Sequence, residues 1–463
     1  MPSINEAAST PIAILRALLS NPSKEHFRKI LAHFRQWSEP ETFDFALEYA
    51  SQHLETWHPS LRHSTLSEDW PGFPELPPEP ALSLIRSLAL TRGEDLTVLL
   101  SKSLPFTSLA SLTMSYNHLG ANGIRLLSET PWATQLEELY LPGCYIGNLG
   151  ISALAQASSF STLKALDLHN TRLQEDNLQT IADTPIFGKL QKLCFGENDI
   201  GSEGMRILAN SPYLTQLQHL ELYNLDIGGP PFIEWTQSEN ARNIEVLQLF
   251  GNQIGERELR ALMYRSTLSR LTELHLHSNP LEDEAAKTLA GSLLLEDVHT
   301  LDIGGCSFGE EGLSVLIHSP MLGGLQALKM GQTYRGNIIG RELAKAHHLC
   351  TLEEIDLQRN WLGENDLKHV TEASHFSNIK RLQLHENHLV DRVHNDLIHA
   401  SFAENLAELD ISNNQIRFEG AKALLSHEWK KLHTIKLSKN HINQDEAEQL
   451  SALASEKQLN LFI

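Results

Sequence analysis

Residues Leu271–Leu281 read Leu-Thr-Glu-Leu-His-Leu-His-Ser-Asn-Pro-Leu. Leu274 and Leu276 alternate with Glu273, His275 and His277. Alternation at period two predicts a short strand with leucines inward and polar side chains outward. Asn279 falls where the chain must turn, and its amide is suited to bond backbone groups buried there. Leu281 closes the turn. Ala285, Ala286, Leu289 and Leu293 then recur at helical spacing, which predicts a helix across the back of the strand. Val298 opens the next strand.

The same pattern occurs at Leu190–Ile200, Ile244–Ile254, Leu352–Leu362, Ile379–Leu389 and Leu406–Ile416. Its first apolar position falls at 85, 109, 136, 163, 190, 217, 244, 271, 298, 325, 352, 379, 406 and 432. From 109 to 406 this is eleven steps of 27 without a slip. The spacing predicts fourteen full units, with Leu459–Leu461 as a truncated fifteenth strand. Eighteen residues after each first position from 109 on, the helix column is always apolar, from Leu127 through Trp235 to Leu450, as an inner face must be. The turn column is Asn in eight of thirteen units, with Cys144, Thr171, Leu225, Cys306 and Thr333 as exceptions. At Thr333–Asn337 the closing position is Arg335, which predicts either a loosely closed turn or a contact loop using Tyr334 and Arg335.

Residues 1–70 lie outside the repeat. Pro11–Leu19 is amphipathic; Phe27, Ile30, Leu31 and Phe34 form a second helical stripe; Phe43, Ala46, Leu47 and Tyr49–Ala50 form a third. Three short helices suit an α-helical N-terminal cap, because an open solenoid end exposes its core. A separate docking module is the alternative. Five prolines lie between residues 70 and 80, and 71–84 reads as a stiff proline-rich linker before a repeat domain at 85–463.

Strand, turn and full helix in each unit, with a glycine after the closing residue (Gly120, Gly147, Gly201, Gly228, Gly255, Gly309, Gly363), resemble the ribonuclease-inhibitor class of leucine-rich repeat. Leu406–Ile416 followed by Glu419-Gly-Ala-Lys-Ala-Leu424 carries the likeness well. The resemblance spans residues 85–463. It implies an α/β fold: a right-handed αβ solenoid, or horseshoe, with a concave parallel sheet and convex helices. It also implies protein–protein interaction. Activating proteins of the GTPase Ran share this class, so regulation of a small GTPase is the alternative function.

Charge narrows the partner. There are 58 acidic and 37 basic residues, a net charge of −21, which argues against nucleic-acid binding through a basic footprint. It is compatible with a basic protein partner and equally with solubility alone. The four cysteines, Cys144, Cys194, Cys306 and Cys350, fit neither zinc nor disulfide spacings. The first residues lack a basic region followed by an apolar core, and no apolar run is long enough to span a bilayer. No phosphate loop, nucleophile elbow or His-Glu-x-x-His motif is present. The expectation is a cytoplasmic, monomeric, non-enzymatic binding protein with no cofactor and no membrane contact.

The strand face is where binding residues are free to vary. Tyr223, Phe250 and His277 fall in register on three successive strands, beside Glu221, Gln248 and His275, with His219 and Glu273 flanking. Tyr140, Asp167 and His169 occupy the same columns upstream. Rings provide apolar area and acids select a basic partner, so these eleven residues form the candidate surface. His275 and His277 share a face, but Glu221 is two strands away, about 10 Å from His275, so no metal site is expected. Cys194 projects from a strand with no evident base or metal partner. A third reading is an adaptor that recruits an effector through residues 1–70 while the repeats hold the partner.

Overall fold

A computed structural model of the chain describes residues 10–69, 80–90, 100, 104–333 and 338–463. Tyr334, Arg335 and most of the proline-rich stretch lie outside the described residues. The chain divides into two compact units, Met1–Gln218 and His219–Ile463.

The first unit holds β1 (His63–Thr65), β2 (Ser87–Leu90), β3 (Ser111–Met114), β4 (Glu138–Tyr140), β5 (Ala165–Asp167) and β6 (Lys192–Cys194). From β1 to β6 neighbouring strands pair in parallel. The second holds β7 (His219–Glu221), β8 (Val246–Gln248), β9 (Glu273–His275), β10 (Thr300–Asp302), β11 (Ala327–Lys329), β12 (Glu354–Asp356), β13 (Arg381–Gln383), β14 (Glu408–Asp410), β15 (Thr434–Lys436) and β16 (Asn460–Phe462). They too pair in chain order, all parallel. Helices alternate with the strands, as in Asp283–Ala290 and Glu310–Ile317. Both units are αβ solenoids. No described helix is long and apolar enough to cross a membrane.

Periodicity places the core correctly. Every helix-column residue from Leu127 to Leu450 is at most 2% exposed. Deleting one such side chain leaves a cavity costing about 2–5 kcal/mol.

The turn column is a chain of hydrogen bonds between repeats. Asn279 Nδ2 donates to the Leu276 carbonyl in its own turn at 2.8 Å and to Leu249 in the preceding repeat at 2.9 Å. Its Oδ1 accepts from Ile254 N at 3.1 Å. Asn387 and Asn414 repeat this pattern. The substitutes keep part of it. Cys144 Sγ reaches the Met114 carbonyl at 2.7 Å, Thr333 Oγ1 reaches Ile303 at 3.3 Å, and Cys306 Sγ reaches Leu276 at 3.6 Å. A thiol offers no carbonyl oxygen to accept in return, and Leu281 N turns instead to the Asn279 carbonyl at 2.8 Å.

The residue before that column has a left-handed backbone in both units: φ is 54° at Tyr116, 57° at Ser278 and 56° at Arg359. Side chains other than glycine pay a steric cost of about 1–2 kcal/mol there, which the bonded turn overrides. The glycine column is less uniform. Gly147 has φ of 63°, whereas Gly309 has φ of −80°. At Gly309 a Cβ would stand 2.8 Å from Asp283 Oδ2, so a larger residue would have to displace that carboxylate, which accepts from Gly309 N.

Three helices occupy Pro11–Leu19, Lys24–Arg35 and Pro40–Leu54. Leu15, Leu19, Phe27, Ile30, Leu31, Phe34, Ala46, Ala50 and Leu54 are their buried face. The second helix packs on β1 and on a short turn at Pro80–Leu84. Two expectations change here. Residues 1–70 are not all helical, because β1 adds a strand ahead of the leucine array. Residues 80–84 are not extended linker, because Ala81, Leu82 and Leu84 are buried in that turn. The strand carries no leucine signature because polar groups serve it. Asp69 Oδ2 accepts from both Ser64 Oγ and Thr65 N at 2.9 Å, and Arg28 lies 3.4 Å from the other Asp69 oxygen.

Candidate functional site

The eleven candidates divide between the units. Tyr140, Asp167 and His169 lie in the first, and the other eight lie in the second.

In the second unit, Glu221, Gln248, His275 and Asp302 are successive register partners across β7–β10. Two residues further on, the rings of Tyr223, Phe250 and His277 stack face to face. Tyr223 and Phe250 have centroids 4.4 Å apart and planes 5° from parallel. Phe250 and His277 are 4.3 Å apart at 12°. The separation follows from the spacing of parallel strands, about 4.8 Å, which leaves no room for an edge-to-face pair. All three rings are half-buried.

The stack ends at an acid. Asp302 Oδ2 lies 2.9 Å from His277 Nδ1 and 3.6 Å from His275 Nδ1. The His277 contact has the distance of an ion pair but not the alignment of a hydrogen bond. Burial alone would raise the Asp302 carboxyl; the two imidazoles, the charge of His277 and the Gly304 N–H outweigh it and hold the acid well below the usual carboxylate range. Glu273 Oε2 is 3.7 Å from His275 Nε2. On β7, His219 Nε2 and Glu221 Oε1 are 2.8 Å apart. Beyond His277 the ring column is replaced by Gly304 and then Gly331. Their missing side chains leave a recess bounded by His277, Asp302, Asp356, Gln358 and Arg359.

The aspartates of the outward column have a role that their position did not reveal. Asp302 accepts from Gly304 N at 3.1 Å, Asp356 from Gln358 N at 3.0 Å, and Asp410 from Ser412 N at 3.1 Å. Asp167 does the same with His169 N at 2.9 Å. Each carboxylate therefore fixes the end of its own strand. Asp302 and Asp356 lie outside the eleven candidates; the sequence shows their column but not that each carboxylate turns back onto its own backbone. Burial pushes the Asp356 carboxyl up, outweighing the Gln358 amide donors and the charge of His385.

In the first unit, Tyr140 pairs in register with Asp167, and Asp167 with Cys194. His169 Nδ1 is 2.9 Å from Asp167 Oδ1. One expectation about Cys194 fails. It lies on β6 as expected, where it is 1% exposed. It does not lack company: donor atoms of Asp167, His169 and Cys194 lie within 4.8 Å of one another. Cys144 and Cys306 are structural, with burial pushing their thiols up to about 11 and about 12.

The comparisons with known proteins bear on the repeat. A family model described as Leucine Rich repeat matches residues 269–290 and 403–425. The chain contains leucine-rich repeats. No curated protein matches it. Among solved structures, it is similar to an internalin from Listeria monocytogenes at 21% identity and TM-score 0.44, over 79% of this chain and 92% of that one. It is similar to a leucine-rich-repeat protein of Leptospira interrogans at 18% identity and TM-score 0.39, over 84% and 92%. A mouse RP105/MD-1 complex matches at 17% identity and TM-score 0.38, over 81% and 63%.

Proposed function

We propose that this chain binds a protein partner, without catalysis, through the strand face of its second unit. The stacked column Tyr223–Phe250–His277 carries the proposal. Its rings are held in place by strand spacing before any partner arrives, so binding costs little side-chain entropy. Their half-exposed edges offer apolar area of the kind that dominates interface energetics. Glu221, Glu273 and Asp302 flank that area with negative charge, which favours a lysine- or arginine-bearing partner.

The test compares the unmodified chain with Tyr223→Ala/Phe250→Ala as bait in affinity capture. The double variant should melt normally and lose the captured protein. Undiminished capture at equal stability would overturn the reading. Activation of a small GTPase is a separate reading with its own measurement, a rise in GTP hydrolysis when the chain is added.

A further inference from the structure

We propose that Asp167, His169 and Cys194 bind a zinc ion on the strand face of the first unit. Among the described residues they are the one place where three His, Cys, Asp or Glu donors converge within 4.8 Å. The backbone makes the convergence. Asp167 and Cys194 are register partners on β5 and β6, and His169 follows Asp167 by two residues, back on the same face. The pattern spans two repeats, so no linear zinc motif exists to be read.

The donor set selects the metal. Carboxylate, imidazole and thiolate together suit zinc, whereas magnesium and calcium take oxygen ligands. The geometry is close to what zinc needs. Zinc–nitrogen and zinc–oxygen bonds of about 2.0 Å place two tetrahedral ligands roughly 3.3 Å apart. His169 Nδ1 and Asp167 Oδ1 stand at 2.9 Å, so the pair opens by a few tenths of an ångström. The Cys194 sulfur, within 4.8 Å of both, must draw in by up to about an ångström to complete the set, given zinc–sulfur bonds of about 2.3 Å. Binding converts the Cys194 thiol to thiolate and its proton passes to solvent. Three protein ligands leave the fourth position to water or to a donor from a bound molecule. The His169 and Asp167 side chains are 24% and 14% exposed, which gives the ion an entry path to the otherwise buried sulfur.

The experiment titrates the full chain with Co²⁺ as the spectroscopic substitute for zinc, then displaces it with Zn²⁺. One equivalent of Co²⁺ should produce a thiolate-to-metal charge-transfer band and tetrahedral d–d bands, both abolished by Zn²⁺. Cys194→Ser should lose the charge-transfer band, and Cys306→Ser should keep it. His169→Gln and Asp167→Asn should each weaken Co²⁺ binding about tenfold or more. A spectrum without the charge-transfer band at several-fold excess of Co²⁺ overturns the proposal, and this reading requires no variant to fold. A band that survives Cys194→Ser in a folded protein overturns it as well, by assigning the sulfur elsewhere. Neither result bears on the stacked column in the second unit.

Discussion

His277 Nδ1 stands 2.9 Å from Asp302 Oδ2 across β9 and β10, while the same imidazole stacks at 4.3 Å on Phe250 of β8. One side chain thus joins an acid on one neighbouring strand to a ring on the other. The stack is a column with a charged end, and Asp302 is the residue whose removal separates its electrostatics from its shape.

Asp302→Asn should therefore alter acid stability. The folded carboxyl titrates below its ordinary value of 3.8. A depressed acid contributes stability that is present above its unfolded pKa and disappears as pH falls through the folded one. Denaturant unfolding at neutral pH and again below the ordinary carboxylate range should show the unmodified chain losing more stability than the variant. Equal losses would mean that the histidine contacts contribute nothing to folding.

Salt should discriminate between the two parts of the proposed binding surface. Charge attraction is screened beyond about 8 Å at physiological ionic strength, and apolar contact is not. Glu273, whose side chain is 45% exposed, is a rim charge. Glu273→Gln should weaken capture at low salt and make little difference at high salt. A loss independent of salt would mean that Glu273 acts by direct contact.

The frame residues make a contrasting pair. Leu289→Ala empties a fully buried site and should cost about 2–5 kcal/mol by denaturant unfolding. Asn279→Ala removes the acceptor for Ile254 N and a donor to two carbonyls, and should cost about 1–3 kcal/mol for the buried group left unpaired. Asn279→Asp should recover little, since a carboxylate cannot donate to either carbonyl. Full recovery would place the weight on the Oδ1 acceptor alone.

Removing residues 1–58 tests the N-terminal helices. The cut leaves β1 in place but strips Phe27, Ile30 and Leu31, all buried, from beside it. If the helices are a cap, the truncated chain should expose apolar surface, bind a hydrophobic dye and aggregate. If they are a docking module, it should remain folded and monodisperse and lose only an effector.

The sequence by itself determined the repeat. An apolar residue at every 27th position from 109 to 406 can be buried only if each unit repeats the same strand and helix, and the apolar helix column is buried at every position from Leu127 to Leu450. Asn279 was equally legible, because a polar side chain at a buried turn must serve the backbone there. The exceptions were not. β1 is held by Asp69 and Arg28, with contacts too irregular to leave a period. The column also placed Tyr223, Phe250 and His277 side by side, but only the tertiary structure made them a stack ending on Asp302. It likewise turned Cys194 from an apparently solitary thiol into the neighbour of Asp167 and His169. The physical reason is common to both sites. Side-chain alternation along one strand is local and fixed by backbone geometry, whereas contact between strands depends on which residues a turn and a helix later bring into register.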